Sequence, residues 1–212
     1  MSAIIDAFNS FTRRVPTWVL YISYMFPVPW LVYQGQTGGL GAEPIKALEQ
    51  ELGLIALQLL VIGLAITPAR RYLRVNLMKF RRALGLLAFG YVCLHLLVWL
   101  VLDVGVLSQI WADILKRPYI TIGMAGFVCL IPLAATSNNY SIRKLGPKWR
   151  QLHRLTYIAV VLGGVHFIWL VKGFQIEPLL YMAAILGLLI LRLPKKRQNR
   201  PGSNVILTNK AK

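Results

Sequence analysis

The chain has 212 residues, of which 57% are hydrophobic and only 15% charged, with a mean hydropathy of +0.58. Soluble domains carry about 25% charged residues, so this composition excludes an ordinary water-soluble globular protein. The net charge of +17 would suit nucleic acid if it covered one face. It is instead concentrated in short segments between apolar runs, which is typical of membrane topology and not of nucleic-acid binding.

Apolar runs long enough to cross a bilayer occur six times along the chain. A transmembrane helix needs about 20 mostly apolar residues. We therefore expect an all-α fold, a polytopic membrane helical bundle with six transmembrane helices in residues 1–194, followed by a basic cytoplasmic tail in residues 195–212. The predicted spans are 15–33, 48–66, 83–102, 118–136, 154–171 and 178–193.

Prolines predict where these helices begin and where they bend. Proline is tolerated in the first turn of a helix, because its missing N–H has no helical partner there. Prolines inside the first and fourth spans predict kinks, at Pro27, Pro29 and Pro132. The prolines that stand near the start of a span are Pro44, Pro118, Pro147 and Pro178.

Lysine and arginine are divided unevenly between the two sides of the predicted bundle. The N-terminus, the segments 67–82 and 137–154, and the C-terminal tail together hold 20 of the 24 basic residues. The positive-inside rule therefore predicts that both termini are cytoplasmic. The basic loops should also contact lipid phosphates. The four basic residues on the opposite side are Lys46, Lys116, Arg117 and Lys172.

Two of the three histidines lie at matching depths inside predicted spans. His95 is the thirteenth residue of span 83–102, and His166 is the thirteenth residue of span 154–171, which crosses in the same direction. Ionisable side chains are costly inside a membrane, so each is a functional hypothesis. Neutral imidazole binds metals, and helical bundles build cofactor sites between facing helices. The alternative is that each histidine only hydrogen-bonds a neighbouring helix.

A second level is predicted nearer the cytoplasm. His153 precedes His166 by 13 residues, about 20 Å along a helix, and Arg81 precedes His95 by 14 residues, about 21 Å. Fourteen residues return to nearly the same helix face, whereas 13 end about 140° away from it. His153 is therefore either part of a second site or a solvated residue of a basic interface.

The ligand chemistry favours haem over zinc. Catalytic zinc uses three protein ligands, and no carboxylate lies within the two histidine spans to serve as ligand or base. Haem needs only one histidine from each of two helices, and with both axial positions filled it transfers electrons. No C-x-x-C-H motif occurs, so haem would bind non-covalently, as b-type haem. The sequence leaves open whether one haem or two bind.

Four segments carry a resemblance to a known family, and the likeness extends over spans 1 to 6. They resemble MsrQ (YedZ) proteins, the haem-binding membrane subunits of bacterial periplasmic protein-methionine-sulfoxide reductase systems. That family falls within the ferric-reductase-like transmembrane group. The segments are TGGLGAEPIK (37–46), RRALGLLAFGYVCLHL (81–96), KRPYITIG (116–123) and KLGPKWRQLHRLTY (144–157).

The resemblance implies a multi-pass protein of the bacterial inner membrane that carries electrons, by way of b haem and FMN, to a periplasmic molybdopterin-dependent catalytic subunit. It implies metal-ligating roles for His95, His153 and His166. Arg81 or Arg82 stands where the wider oxidase pattern has a fourth histidine, and arginine has no free lone pair for a metal. The inner site is then either a haem on His153 with Arg81 at a propionate, or a flavin phosphate site.

The chain has no Rossmann or P-loop glycine pattern, so hydride must be handled by another protein. We expect a non-catalytic electron-transfer subunit with a donor on the cytoplasmic side, which is either quinol or a flavin reductase. A transporter or channel with gating histidines is an alternative of another class, although broken helices with buried charges would then be expected. A stand-alone metalloreductase is the third hypothesis.

Overall fold

The structure, a computed structural model, describes residues 2–171 and 173–193. These residues form eleven α-helices and no β-strand, which confirms the predicted all-α class. The predicted tail at 195–212 lies outside the described residues, as does Lys172. The helices are α1 (Ser2–Arg14), α2 (Trp18–Met25), α3 (Pro27–Thr37), α4 (Pro44–Pro68), α5 (Arg81–Val98), α6 (Leu107–Lys116), α7 (Pro118–Ala135), α8 (Asn139–Leu145), α9 (Pro147–Leu152), α10 (Leu155–Leu170) and α11 (Ile176–Arg192).

Four helical stretches are long and apolar enough to cross a membrane, and they coincide with the second to fifth predicted spans. Three of them are longer than predicted. Two are extended by π-helical segments, at Ala69–Leu73 and Trp99–Val104, and the last begins earlier because α9 precedes α10. The chain is therefore a multi-pass membrane protein. The four stretches are Pro44–Leu73, Met78–Val104, Pro118–Ala135 and Pro147–Leu170.

The first and sixth predicted spans do not correspond to single helices that are long and apolar enough to cross a membrane. Span 15–33 falls on α2 and α3, and these would make a fifth span only when joined to α1, from which they bend by 82°. Span 178–193 falls on α11, whose 17 residues extend about 25 Å against a hydrocarbon core of about 30 Å. The structure thus supports four or five spans, and six stays a prediction.

Prolines stand at helix starts as predicted, since Pro44, Pro118 and Pro147 are the first residues of α4, α7 and α9. Between α2 and α3 the helix is interrupted at Phe26, directly before Pro27. Proline lacks the N–H that would continue the helical ladder. The sequence therefore predicted this interruption from the correct residue.

The bundle is built on two helix pairs, α4 with α5 and α7 with α10. In the first pair, Leu52, Ala56 and Leu59 of α4 share a buried cluster with Ala88 and Tyr91 of α5. In a bilayer such contacts hold helices together by close packing, because lipid tails are as apolar as the side chains. The α11 helix joins the pairs through a cluster that contains Leu57, Leu64, Val160 and Ile185.

Arg192 fastens the end of α11 to α4. Proline has no N–H, so Pro68 leaves the carbonyl of Leu64 without its usual helical donor. The Arg192 guanidinium donates to that carbonyl with Nη2 at 2.6 Å and Nε at 3.0 Å, and its Nη1 donates to the Tyr157 hydroxyl at 3.1 Å. A half-buried charge near a helix end is thereby hydrogen-bonded, and α4, α10 and α11 are tied together.

Candidate cofactor site between two helix pairs

The structure brings His95 of α5 and His166 of α10 together. Their ring centroids are 6.2 Å apart, and the ring planes are nearly perpendicular at 82°. Both side chains are partly buried. The two residues that the sequence placed at equal depth on separate spans therefore face each other across the gap between the helix pairs.

Each of these rings is held by a backbone carbonyl at the start of the partner helix. His95 Nδ1 lies 2.8 Å from the carbonyl oxygen of Glu49 in α4, and His166 Nδ1 lies 2.6 Å from the carbonyl oxygen of Tyr119 in α7. The last turns of α5 and α10 thus meet the first turns of their partners, so both pairs are antiparallel.

These contacts fix the tautomer of both rings. A carbonyl oxygen can only accept a hydrogen bond, so Nδ1 carries the proton in His95 and in His166. Nε2 then keeps its lone pair in the neutral ring. A histidine that donates from one ring nitrogen to a carbonyl and keeps the other free has the arrangement of a metal ligand.

A glycine lies beside each ring, one helical turn after the carbonyl. A Cβ added to Gly53 would lie 3.1 Å from His95 Nδ1, and a Cβ added to Gly123 would lie 2.8 Å from His166 Nδ1. Any side chain at these positions would push the ring away from its carbonyl. The same unit of carbonyl, glycine and histidine therefore occurs twice, with carbonyl and histidine separated by 46 and 47 residues.

The separation of the rings fits one metal ion between them. A nitrogen ligand lies about 2 Å from its metal and roughly 1 Å from its own ring centre, so two imidazoles on opposite sides of one ion would have centres about 6 Å apart. The observed 6.2 Å agrees with this value. Among the described residues, no group of three or more His, Cys, Asp and Glu side chains could hold an ion. Two protein ligands alone suit a metal whose other positions are filled by a macrocycle, as in haem.

His153 has different surroundings. It lies between α9 and α10, where its ring stacks on Trp149 with centroids 3.8 Å apart. Its Nε2 is 3.1 Å from the hydroxyl oxygen of Thr136, and that hydroxyl donates to the Pro132 carbonyl at 2.6 Å. Since the hydroxyl proton is already used, His153 donates from Nε2. Nε2, which is free in His95 and His166, is therefore occupied in His153.

Arg81 is the first residue of α5 and is close enough to interact electrostatically with His153 and with Arg192. Its guanidinium makes no hydrogen bond to the described part of the chain. The neighbouring Arg82 is exposed and donates to the Asn139 side chain at 2.9 Å, which ties α5 to α8. Of the two arginines that the sequence left as alternatives, Arg81 is the one near His153.

Known proteins resemble this chain over most of its length. Residues 52–164 match the family described as the ferric reductase like transmembrane component. The protein-methionine-sulfoxide reductase heme-binding subunits MsrQ of Brucella ovis, Brucella canis and Brucella suis are each 48% identical over 187 residues, which cover 87% of this chain and 85% of the relative.

The chain belongs to the MsrQ family. The resemblance noted in the four sequence segments is thereby confirmed. These relatives favour neither the transporter nor the stand-alone metalloreductase hypothesis. No solved structure matches the chain.

In this MsrQ-family chain, sequence reasoning found the histidines but missed what holds them. Backbone carbonyls of Glu49 and Tyr119 carry no side-chain signature, so no residue type could reveal them. The glycines could have been found from their spacing, because Gly53 and Gly123 each follow the carbonyl residue by four positions near the start of a span. Thr136, the partner of His153, was also missed.

Proposed function

We propose that this chain is the haem-binding, electron-transferring membrane subunit of a protein-methionine-sulfoxide reductase system, in which His95 and His166 would hold a b-type haem. One observation carries the proposal: two imidazoles lie 6.2 Å apart, and each donates from Nδ1 to a backbone carbonyl. The names of the Brucella relatives supply the reductase system and the cofactor.

The chain's own residues prepare both ligands. The carbonyls of Glu49 and Tyr119 keep the Nε2 lone pairs available, and a donated Nδ1 proton makes the imidazole a stronger ligand. When bound, b-type haem with both axial positions filled supplies one-electron transfer and leaves no open position for oxygen. A conduit of this kind needs no catalytic residue, so we assign none.

We further propose that Arg81 and His153 bind an anionic group on the cytoplasmic side, either a propionate of a second haem or the phosphate of FMN. A guanidinium without a hydrogen-bond partner in the described chain suits either anion. His153 donates from Nε2 to Thr136 and so fits a contact residue better than an iron ligand. The first version gives the chain two haems, and the second gives it one haem and FMN.

The partners follow from the proposed direction of transfer. We propose a periplasmic molybdopterin-dependent catalytic subunit as acceptor and a cytoplasmic-side donor, quinol or a flavin reductase. The proposed topology has six spans in the bacterial inner membrane, with α2–α3 as the first, α11 as the sixth and both termini in the cytoplasm. The division of the 24 basic residues supports this orientation.

The cofactor is tested on the protein purified from membranes. We expect a b-type reduced spectrum with low-spin character, and a pyridine haemochrome count of one or two haems per chain. Purified protein that contains no haem, from cells that supply haem to other cytochromes, would refute the proposed function.

The topology is tested with reporter fusions at both termini and in the loops at 34–47 and 103–117. We expect the termini to activate only a cytoplasmic reporter and the loops only a periplasmic one. A periplasmic reporter that is active at the C-terminus would remove the sixth span or reverse the direction of the bundle.

A further inference from the structure

The first helix, α1, runs nearly at right angles to the helices that follow it. It bends by 82° from the stretch Trp18–Thr37, which contains most of the predicted first span, 15–33. If that stretch crosses the bilayer, α1 lies along the membrane surface. Its C-terminal end is on the basic side, next to the loop between α4 and α5.

Three different faces run along α1. Its apolar face consists of Ile4, Phe8 and Phe11, spaced at i, i+4 and i+7, and these side chains are 75%, 43% and 65% exposed. The opposite face carries only polar and charged side chains. Its members are Asp6, Ser10 and Arg13.

The third face is bound to the protein. Thr12 is buried at 6% exposure, and the Asn9 amide donates to the Arg74 carbonyl at 2.9 Å while its oxygen accepts from the Asn76 N–H at 2.8 Å. These contacts fix the rotation of α1 about its axis. The apolar face is thereby turned outward along one flank, and the charged face along the other.

Lys79 caps the end of the same helix. Its Nζ donates to the carbonyls of Arg13 at 2.8 Å and Val15 at 2.6 Å. A lysine at this position satisfies carbonyls that lack helical donors and interacts favourably with the negative end of the helix dipole. The loop that ends at Lys79 therefore holds α1 at two points, its middle and its C-terminus.

We propose that α1 is an in-plane membrane anchor whose apolar face inserts into the lipid leaflet on the basic side. The bend sets the helix parallel to the surface, and the hydrogen bonds turn its apolar face to one flank. Arg13 and Arg14 lie in the last turn of α1, which is bonded to the basic segment that carries Arg74 and Lys79, so the surroundings are complementary to anionic headgroups. An amphipathic helix of this kind buries its apolar face about 5–10 Å into the boundary of headgroups and acyl chains.

The anchor has a consequence for the bundle. The loop that holds α1 ends two residues before Arg81, the first residue of α5. Insertion of α1 therefore fixes the height of that helix start relative to the leaflet. This inference rests on the proposed first span, α2–α3, but not on the proposed haem, so a haem-free protein would leave it standing.

The test uses single cysteines at successive positions 4 to 13 in full-length protein with Cys93→Ala and Cys129→Ala, each spin-labelled and reconstituted into phosphatidylethanolamine and phosphatidylglycerol vesicles. Collisions with oxygen report lipid, and collisions with a water-soluble nickel chelate report water. We expect high oxygen and low nickel access at 4, 8 and 11, the reverse at 6, 10 and 13, and low access to both at 9 and 12.

The outcomes separate the possible environments of the apolar face. Nickel access at positions 4, 8 and 11 equal to that at 6 and 10 would show a face in water and overturn the proposal. Low access to both reagents at 4, 8 and 11 would show that a protein, such as a second copy of the chain, covers the face, and would also overturn it.

A second experiment tests what sets the rotation of α1. Asn9→Ala with Lys79→Met removes the hydrogen bonds to the loop, and we expect most of the oxygen-to-nickel contrast between positions 11 and 6 to be lost. Lys148→Met, an exposed lysine with no partner in the described chain, is the matched control and should keep the contrast. Full contrast in the Asn9→Ala, Lys79→Met protein would overturn the assignment of these bonds.

Discussion

The outer level of this bundle, with His95 and His166, and the inner level, with His153, use opposite ring nitrogens of histidine as hydrogen-bond donors. At the outer level, His95 and His166 donate from Nδ1 to backbone carbonyls, so Nε2 is left free. At the inner level, His153 donates from Nε2 to Thr136, and Trp149 covers one side of its ring. Which ring nitrogen of each histidine stays free is therefore decided by its hydrogen-bond partner and not by its depth.

The partners also differ in rigidity. The carbonyls of Glu49 and Tyr119 belong to helices, where they cannot turn away, and a ligand held this way is preorganised. The Thr136 hydroxyl follows the last residue of α7 and can rotate about a single bond. The outer level is built as a fixed site, whereas the inner level can exchange partners when a group binds.

The largest effect is expected from removal of an outer histidine. In His95→Ala and in His166→Ala the iron would lose one of two protein ligands, so we expect loss of the low-spin haem signal in both variants. The measurement is the visible and electron paramagnetic resonance spectrum of purified protein. His153→Ala is the internal control, and normal haem content in either outer variant would contradict the assignment.

A smaller effect is expected from the glycines behind these rings. In Gly123→Ala the new methyl group would lie 2.8 Å from His166 Nδ1, closer than unstrained contacts allow, whereas in Gly53→Ala the distance to His95 Nδ1 would be 3.1 Å. Loss of the partner that orients a ligand costs about 10–100-fold in metal affinity. We expect weaker haem retention and shifted g values, with the larger change in Gly123→Ala.

Gly85→Ala provides the matched control for these two variants. Gly85 is also helical, but a Cβ there would meet nothing within 4 Å. Alanine in an open helical position stabilises the helix by about 1 kcal/mol over glycine, so this variant should keep its haem and its thermal stability. If Gly85→Ala loses haem as Gly123→Ala does, the bundle is sensitive to any added volume and the glycines have no specific role.

The sequence predicted those parts of the site that depend on side-chain type and spacing. Equal depth on two parallel spans was enough to pair His95 with His166, because helix rise per residue is constant. The tautomers could not be predicted, since they depend on the Glu49 and Tyr119 carbonyls, which approach only when α4 and α7 pack. For the inner site the sequence favoured Arg81, and the structure places Arg81 near His153 while Arg82 donates to Asn139.

The fold was predictable to a similar extent. Hydropathy located the four long spans, with each end within seven residues, because each is a continuous apolar run between charged segments. The amphipathic α1 was missed, since its short apolar face gives no continuous run, and the partners of Asn9 are 65 and 67 residues away. Contacts over such distances come from packing and leave no local signal.

The smallest effect on the spectrum of the haem proposed at His95 and His166 is expected from substitutions at the inner level. His153→Ala and Arg81→Ala should leave the outer haem signal largely intact, because about 20 Å of helix separates the two levels. Both should slow reduction by a flavin donor on the cytoplasmic face, since Arg81 supplies the positive charge for an anionic group there. Reduction by dithionite, which needs no specific contact, should be unchanged in both variants.

Lys148→Ala is the appropriate control for this last comparison. Lys79 lies closer to Arg81 in the chain, but it caps α1 through two carbonyls, so its removal would disturb the same region by another route. Lys148 is exposed, precedes His153 by five residues, and carries the same charge. If His153→Ala and Arg81→Ala take electrons from the flavin donor as fast as Lys148→Ala does, the inner level is only a solvated interface. Electrons must then reach the outer pair by a route that avoids both residues.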